Sequence, residues 1–169
     1  MGEGFTIRNA SPDDSEAVIS LQEELFPNDP IALQADEFDG QLHPMVQIFV
    51  ATQNNKVIGF VVLRNRSFRP WTGCDFIGVS SSHRRGGVGR KLVEHVLQKC
   101  RRQIMRPLFR LFVQPSNPNA FSLYKSLHFR QTSIRANNYP DGEDAIVMMR
   151  FKSARLTKLI GIIFKNGQN

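Results

Sequence analysis

A glycine-rich, basic segment between a predicted strand and a predicted helix limits the folds open to this chain. It runs from Val79 to Leu92 with the sequence VSSSHRRGGVGRKL. Its glycines allow positive φ angles and a close approach of the main chain to a ligand. Free N–H groups and the positive dipole end of the following helix favour an anion there. With basic side chains on both sides of the turn, the segment predicts a site for a diphosphate group.

The spacing of the glycines excludes two common phosphate-binding motifs. The chain lacks GxxxxGK[ST] here, so no lysine and hydroxyl pair is placed for a nucleotide and Mg²⁺. It also lacks GxGxxG followed by an acidic residue about 20 positions later. What remains is Arg84-x-x-Gly87-x-Gly89. On these six residues alone, an ordinary basic turn between a strand and a helix is an equally good interpretation.

Composition indicates one domain with a cytoplasmic location. The chain has 169 residues, of which 41% are hydrophobic and 22% charged, as in an average globular protein. Neither a signal peptide nor an apolar run of the ~20 residues that span a bilayer is predicted. Cys74 and Cys100 lack the spacing of metal ligands, so we expect buried thiols and no metal. The net charge of +7 fits a polyanionic ligand such as coenzyme A, RNA or a ribosome surface.

Hydrophobic periodicity and turn residues predict an α/β protein with a mixed sheet and the element order βααβββαβαββ. The first helix follows Ser11, with Pro12 in its first turn, and ends before Phe26. Period-2 runs predict strands at residues 5–8, 47–52, 57–65, 75–80, 108–114, 129–134 and 145–151. Further helices are expected at 31–38, 87–102 and 117–127. Most helices should pack against one face of the sheet.

A second segment and the stretch at residues 137–148 complete a family resemblance. In the segment from Leu111 to Phe129, Asn117, Ala120, Tyr124 and Phe129 align with VxxxNxxAxxxYxxxGF. Together with the [QR]xxGx[GA] match at Arg84, this segment resembles the GNAT acetyltransferase superfamily. NNYPDGEDAIVM, which begins at Asn137, is similar to the NYYP…EDAxxM ending of enzymes that acetylate protein N-termini, including the ribosomal-protein-alanine type. We therefore expect a GNAT domain over residues 3–152.

The resemblance implies acetyl-CoA as the cosubstrate, held where two central strands splay apart. The strands are those ending at Val79 and at Gln114. It assigns cosubstrate binding to Ile77, Gly78, Val79, Arg84, Arg85, Gly86, Gly87, Val88, Gly89, Arg90 and Asn117. An asparagine before an apolar helix is also a helix N-cap, and Asn117 can hold both roles.

The resemblance also implies direct attack of an amine on the thioester, through a tetrahedral intermediate. The N–H of Val79 would stabilise the oxyanion, and Tyr124 would protonate the leaving thiolate. Packing alone would also explain a tyrosine on this helix. Relatives carry an acid or a base close to Phe112, which cannot accept a proton. Asp75 could act through water, since alternation would place it on the face of Ile77 and Val79, although a solvated strand-edge aspartate is an equal alternative. His43 and Asp29 are weaker candidates.

Three residues suggest the acceptor. Phe26, Pro27 and Tyr139 match positions that wall the peptide slot in the N-terminal acetyltransferase branch. An N-terminal α-amine, with a pKa of ~8, needs less help from a base than a lysine with a pKa of ~10.4. We therefore expect a protein or peptide N-terminus as the acceptor. A small-molecule amine and a non-catalytic acyl-CoA-binding module stay open as alternatives.

The C-terminal tail, residues 153–169, is predicted to contain a basic amphipathic helix. Leu156, Leu159, Ile160, Ile163 and Phe164 follow helical spacing and are flanked by lysines. Packing on its own domain or on a partner subunit explains this pattern. Contact with a membrane surface is the alternative.

Overall fold

A seven-stranded mixed sheet forms the centre of the molecule, in the order β1-β2-β3-β4-β5-β7-β6. The computed structural model describes residues 4–27, 29, 31–40, 43–66, 69–100 and 106–151. The strands are β1 (Thr6–Asn9), β2 (Val46–Gln53), β3 (Lys56–Arg64), β4 (Trp71–Val79), β5 (Leu108–Val113), β6 (Arg130–Arg135) and β7 (Ala145–Phe151). The helices are α1 (Ser15–Leu25), α2 (Val88–Lys99) and α3 (Pro118–Ser126). The predicted α/β fold with a mixed sheet is confirmed.

The helices pack on both faces of the sheet, which divides the core into two clusters. On one face, Val18 and Leu21 of α1 pack with Phe60 of β3 and Phe76 of β4. On the other face, α2 and α3 cover a larger cluster that includes Leu92. Because two of the three α-helices in the described ranges share a face, the expectation that most helices lie on one side is confirmed there.

A β-bulge in β4 opens the centre of the sheet. Cys74 pairs with Leu63 and Phe76 pairs with Val62, so that Asp75 is left without a partner in β3. The bulge shifts the alternation of side chains, because Cys74 joins the α2 cluster whereas Phe76 joins the α1 cluster. The parallel pairing of β4 with β5 stops at the same point, at Cys74 opposite Leu111. The two strands diverge from there on.

The prediction of a second helix over residues 31–38 is wrong in its extent. Only a single 3₁₀ turn forms, at Ala35–Phe38. The N–H of Leu33 donates to Oε1 of Gln22 in α1 at 2.9 Å, which holds the preceding backbone out of a helix. The carboxylate of Glu37 accepts the Gln34 N–H at 3.0 Å and closes the turn. A side chain from α1 thus replaces the helical hydrogen bonds that periodicity predicted.

Strand β4 begins earlier than predicted, at Trp71 instead of Asp75. Gly73 and Cys74 weaken the local strand signal, yet Trp71–Cys74 pair with Leu108–Leu111. This tertiary pairing overrides local propensity. The predicted tail helix at 153–169 lies outside the described residues. Within the described ranges, no helix is long and apolar enough to cross a membrane.

A partly buried ion pair stabilises the start of α1. Arg8 donates to both carboxylate oxygens of Asp14, at 2.6 and 2.8 Å. The main-chain N–H and the hydroxyl of Ser11 also donate to Asp14, at 2.8 and 3.0 Å. The hydrogen bonds from Arg8 are the main cause of an Asp14 pKa of about 2, against the usual 3.8. The charged carboxylate is therefore stabilised by the folded state.

We expect Asp14→Asn to lower the free energy of unfolding by about 2 kcal/mol at neutral pH. Because folding lowers the pKa of Asp14, its stabilisation is complete above pH 3.8 and is lost as the pH falls towards 2. The gap between wild type and variant in urea unfolding should therefore close in that window. Asp13→Asn, which alters an exposed neighbour, is the matched control. A gap that stays constant with pH would contradict the prediction.

Candidate active site

The opening between β4 and β5 exposes main-chain groups of β4. The N–H of Ser80 donates to Ile58 O of β3 at 3.0 Å. Successive residues of a strand direct their main-chain groups to opposite edges. The amides of Ile77 and Val79 therefore face the opening, beyond the last pair with β5. The predicted splay is present, and Ile77 and Val79 lie where the resemblance places them.

The glycine-rich turn leads into α2 through two residues with positive φ. Arg85 has a φ of 64° and Gly87 a φ of 82°. Gly87 is the N-cap of α2, and Lys91 N donates to Gly87 O at 3.0 Å to form the first helical bond. The N–H groups of Val88, Gly89 and Arg90 precede that bond and have no acceptor within the helix. This arrangement of amides suits an anion, as the sequence predicted.

The glycines of this turn leave space for a ligand. A Cβ at Gly87 would meet no atom within 4 Å. At Gly89 a Cβ would lie 3.6 Å from Cγ2 of Val79 and 3.8 Å from Cδ2 of Leu123. The start of α2 thus adjoins both the end of β4 and α3. An elongated molecule with a diphosphate at the turn and an arm in the opening fits these residues.

Two arginines of the turn direct their side chains to the protein. Arg84 donates from Nε to Val79 O at 3.3 Å, and Arg90 donates to the hydroxyl of Ser126 in α3 at 2.8 Å. Arg90 therefore ties α2 to α3. Any contact of Arg90 with a diphosphate at the turn would come from its main-chain N–H.

Asn117 and Tyr124 lie at the start and the end of α3. Oδ1 of Asn117 accepts the Ala120 N–H at 3.1 Å and caps the helix. Tyr124 is buried in the α2 cluster, with its ring centroid 5.8 Å from that of Phe129. Burial raises the pKa of Tyr124 far above its usual value of 10, and negative charge on Cys74 or Tyr139 would add to the effect. Its phenol is protonated over the whole working range of pH.

The three predicted acceptor residues come together in one cavity of about 390 Å³. The lining residues are Leu25, Phe26, Pro27, Asp29, Gln114, Tyr139, Pro140 and Asp141. A Cβ on Gly78 would lie 2.9 Å from Cδ1 of Leu25, which locates the cavity wall beside β4. Burial and the carboxylates of Glu143, Asp29 and Asp141 raise the pKa of Tyr139 to about 12. The cavity therefore has an acidic rim and a neutral phenol.

Glu143 links the two sides of this site and was not identified from the sequence. Its carboxylate accepts the Ser116 N–H at 2.7 Å and the Ser116 hydroxyl at 2.8 Å. Its carbonyl oxygen accepts the N–H groups of Asn138 and Tyr139. One residue thus joins the turn before α3 to the hairpin that carries Tyr139. The EDA run at Glu143 was noted only as a motif, without a structural role.

Asp75 does not lie where alternation placed it. Because the bulge shifts the alternation, Asp75 shares a face with Phe76 instead of with Ile77 and Val79, and that prediction is wrong. Its carboxylate accepts a hydrogen bond from Arg64 at 3.1 Å. Arg64 also donates to Glu37 at 2.7 and 2.8 Å. Asp75 is therefore part of a network that fixes Arg64, which counts against its use as a base.

The other two candidate bases, His43 and Asp29, also make hydrogen bonds within the protein. His43 contacts Asp36 through Nε2 at 3.1 Å and does not line the cavity. Asp29 lines the cavity, but its Oδ1 accepts the Ile31 N–H at 3.0 Å. Phe112 lies beside the guanidinium of Arg110, at 4.7 Å from the ring centroid.

The residues that form this site match a known protein family. The family model described as "Acetyltransferase (GNAT) family" matches residues 15–129, which include the glycine turn, the opening and α3. The chain is a GNAT acetyltransferase. Its acetyltransferase class and fold, predicted from the two motifs, are thereby confirmed.

Curated GNAT relatives are named for N-terminal acetylation. The [Ribosomal protein bS18]-alanine N-acetyltransferase of Escherichia coli K12 is 38% identical over 107 residues, covering 59% of this chain and 68% of the relative. An N-alpha-acetyltransferase of Saccharolobus solfataricus is 27% identical over 164 residues, covering 88% of this chain and 94% of the relative. The predicted resemblance to the N-terminal acetyltransferase branch is confirmed.

Solved structures agree with this assignment. The ribosomal-protein-S18-alanine N-acetyltransferase of Escherichia coli superposes with a TM-score of 0.73 at 29% identity, covering 89% of this GNAT chain and 95% of the other. A Salmonella typhimurium protein, yncA, solved with its cofactor acetyl-CoA, has a TM-score of 0.74 at 19% identity, covering 89% and 95%. The second likeness supports the fold alone.

Proposed function

We propose that this protein transfers the acetyl group of acetyl-CoA to the N-terminal α-amine of a protein or peptide. The observation that carries the proposal is the cavity formed by Phe26, Pro27 and Tyr139 next to the β4–β5 opening. Asp29 and Asp141 at its rim favour a positively charged group such as the α-ammonium at the start of a chain. The names of the curated relatives support the same acceptor class.

Main-chain groups hold the cosubstrate in this proposal. The amides from Arg85 to Arg90 bind the diphosphate at the α2 N-terminus, where the dipole favours negative charge. Ile77 and Val79 bind the pantetheine arm along the free edge of β4. Because Oδ1 of Asn117 caps α3, only its Nδ2 group is left to donate to the arm. The match of residues 15–129 to the acetyltransferase family supports this choice of cosubstrate.

Three groups carry the chemistry. The amine attacks the thioester carbonyl, and the Val79 N–H stabilises the oxyanion of the tetrahedral intermediate. When the C–S bond breaks, Tyr124 gives its proton to the departing thiolate, and the extra proton on the acylated nitrogen passes to the Tyr124 oxygen, which leaves a neutral amide and a neutral phenol. The raised pKa of Tyr124 keeps that proton in place until the sulfur becomes basic.

The acceptor amine loses its proton without a dedicated base. An α-ammonium with a pKa of ~8 is partly neutral at physiological pH. Asp29 and Asp141 at the rim attract the ammonium form, and water takes its proton before the attack. Asp75 has a positioning role, through Arg64 and Glu37.

We expect free coenzyme A to appear when the protein is mixed with acetyl-CoA and unblocked peptides. A matched peptide with a blocked N-terminus and a free lysine should release about a hundredfold less coenzyme A, because a pKa of ~10.4 instead of ~8 lowers the neutral fraction of its amine by at least that factor. Thiol release and mass spectrometry measure the two products. Equal rates on both peptides would contradict the choice of the α-amine.

Turnover on a small amine such as a polyamine, but on no peptide, would favour the small-molecule alternative. Phe112 in place of a base motivates the non-catalytic alternative, which predicts binding of acetyl-CoA without turnover on any amine. Cytoplasmic location, a ribosome contact through basic regions of the surface and a membrane contact through residues 153–169 stay predictions.

A further inference from the structure

Arginine and aromatic side chains alternate across one face of the sheet. The guanidinium of Arg110 lies 4.7 Å from the Trp71 ring centroid and 4.7 Å from that of Phe112. Arg69 lies 5.4 Å from the Trp71 centroid, and Arg135 lies 5.9 Å from the Phe112 centroid. We call these five residues the arginine ladder. It joins β4, β5 and β6 on the face opposite α2 and α3.

The ladder begins beside the acceptor cavity. Gln114, which lines that cavity, directly follows β5. Phe112 and Arg110 precede it on the same side of the strand, because Leu111 and Val113 belong to the opposite core. At ~3.3 Å per residue, they lie ~7 and ~13 Å from Gln114 along the strand. An extended chain that leaves the cavity in this direction passes over the ladder.

The ladder carries positive charge that nearby acids do not neutralise. Among the described residues, no ion pair joins Arg69, Arg110 or Arg135 to a carboxylate. The pKa of Arg110 is lowered, first by burial and then by the positive charges of Arg135, Arg66 and Arg69. Asp75, the acid that opposes this shift, is already bound to Arg64. The face therefore favours an anionic partner.

We propose that the ladder binds acidic side chains of the acceptor, at about its third to sixth residues. This inference rests on the proposed function, since it concerns the same acceptor chain. The acidic rim binds the terminal ammonium, and the basic face binds the carboxylates that follow. Each ring of the ladder already stacks on two guanidinium groups, so that few free ring faces remain for nucleic-acid bases.

The test compares three peptides that share their first two residues and carry acidic, neutral or basic residues at positions three to six. We expect kcat/KM for the acidic peptide to be about tenfold higher than for the neutral one at low salt. The preference should vanish near 1 M salt, where the screening length is about 3 Å. No coenzyme A release from any peptide would instead refute the proposed function itself.

Substitutions at Arg135 and Lys99 test which face of the sheet causes the preference for the acidic peptide. Arg135→Gln should lower the ratio of acidic to neutral kcat/KM about threefold, and Arg135→Lys should largely restore it. Lys99→Gln removes the same charge at the end of α2, on the other face, and should leave the ratio at the wild-type value. Turnover of all three peptides at equal kcat/KM would overturn the inference. So would RNA binding that Arg135→Gln weakens while the peptide ratio stays constant.

Discussion

Tyr124→Phe should lower kcat by about 10² to 10³, with the Kd for acetyl-CoA nearly unchanged. The substitution removes one oxygen from a side chain that is 7% exposed and keeps the ring that packs on Phe129. Folding and binding should therefore survive while the leaving thiolate loses its proton donor. Coenzyme A release gives kcat, and calorimetry gives the Kd.

The second of the chain's two tyrosines supplies the matched control. Tyr139 lines the acceptor cavity, so Tyr139→Phe should change the KM for the peptide more than kcat. The pH profile adds a further check. Because burial raises the pKa of Tyr124, wild-type kcat should not decline as the pH approaches 10. An unchanged kcat in Tyr124→Phe would remove this residue from the mechanism.

Gly87→Val should weaken acetyl-CoA binding about a hundredfold. Gly87 has a φ of 82° at the N-cap of α2, a conformation that a β-branched residue adopts only with strain. Relief of that strain would turn the first amides of α2 away from the diphosphate, and hydrogen bonds to charged groups are among the stronger ones. Calorimetric titration with coenzyme A measures the loss.

Gly142→Val is the control for backbone strain away from the proposed diphosphate site. Gly142 has a φ of 83°, and a Cβ there would also meet no atom within 4 Å. The cost to folding should therefore be similar in the two variants, as measured by urea unfolding. Gly142 lies in the hairpin that carries Tyr139, so its variant should raise the peptide KM and keep the affinity for acetyl-CoA. Equal affinity in both variants would contradict the role of the turn.

Periodicity and turn residues predicted the order of the strands and helices because most elements bury one face. Their bounds depended on contacts across the chain. Gln22 draws the backbone at Leu33 away from a helix, and no pattern within residues 31–38 could indicate this. The extra residues of β4, starting at Trp71, form a strand through their pairing with β5.

Motifs predicted the part of the site that main-chain geometry builds. The turn at Gly87, the free edge at Val79 and the cap at Asn117 all lie where the motifs placed them. The predicted position of Asp75 was wrong because a single unpaired residue in β4 reverses the alternation of side chains after it. Nothing in the local sequence indicates this bulge. The arginine ladder was missed because its members, which lie in β4, β5 and β6 and just before β4, are separate in sequence.

The hydrogen bonds of Glu143 have a consequence for the order of events in a catalytic cycle. They connect the turn before α3 to the Tyr139 hairpin through a single residue. A ligand that orders one of these elements therefore also orders the other, so that the second ligand to bind loses less conformational entropy. We therefore expect the two substrates to bind with positive cooperativity, each raising the affinity of the other by the same factor.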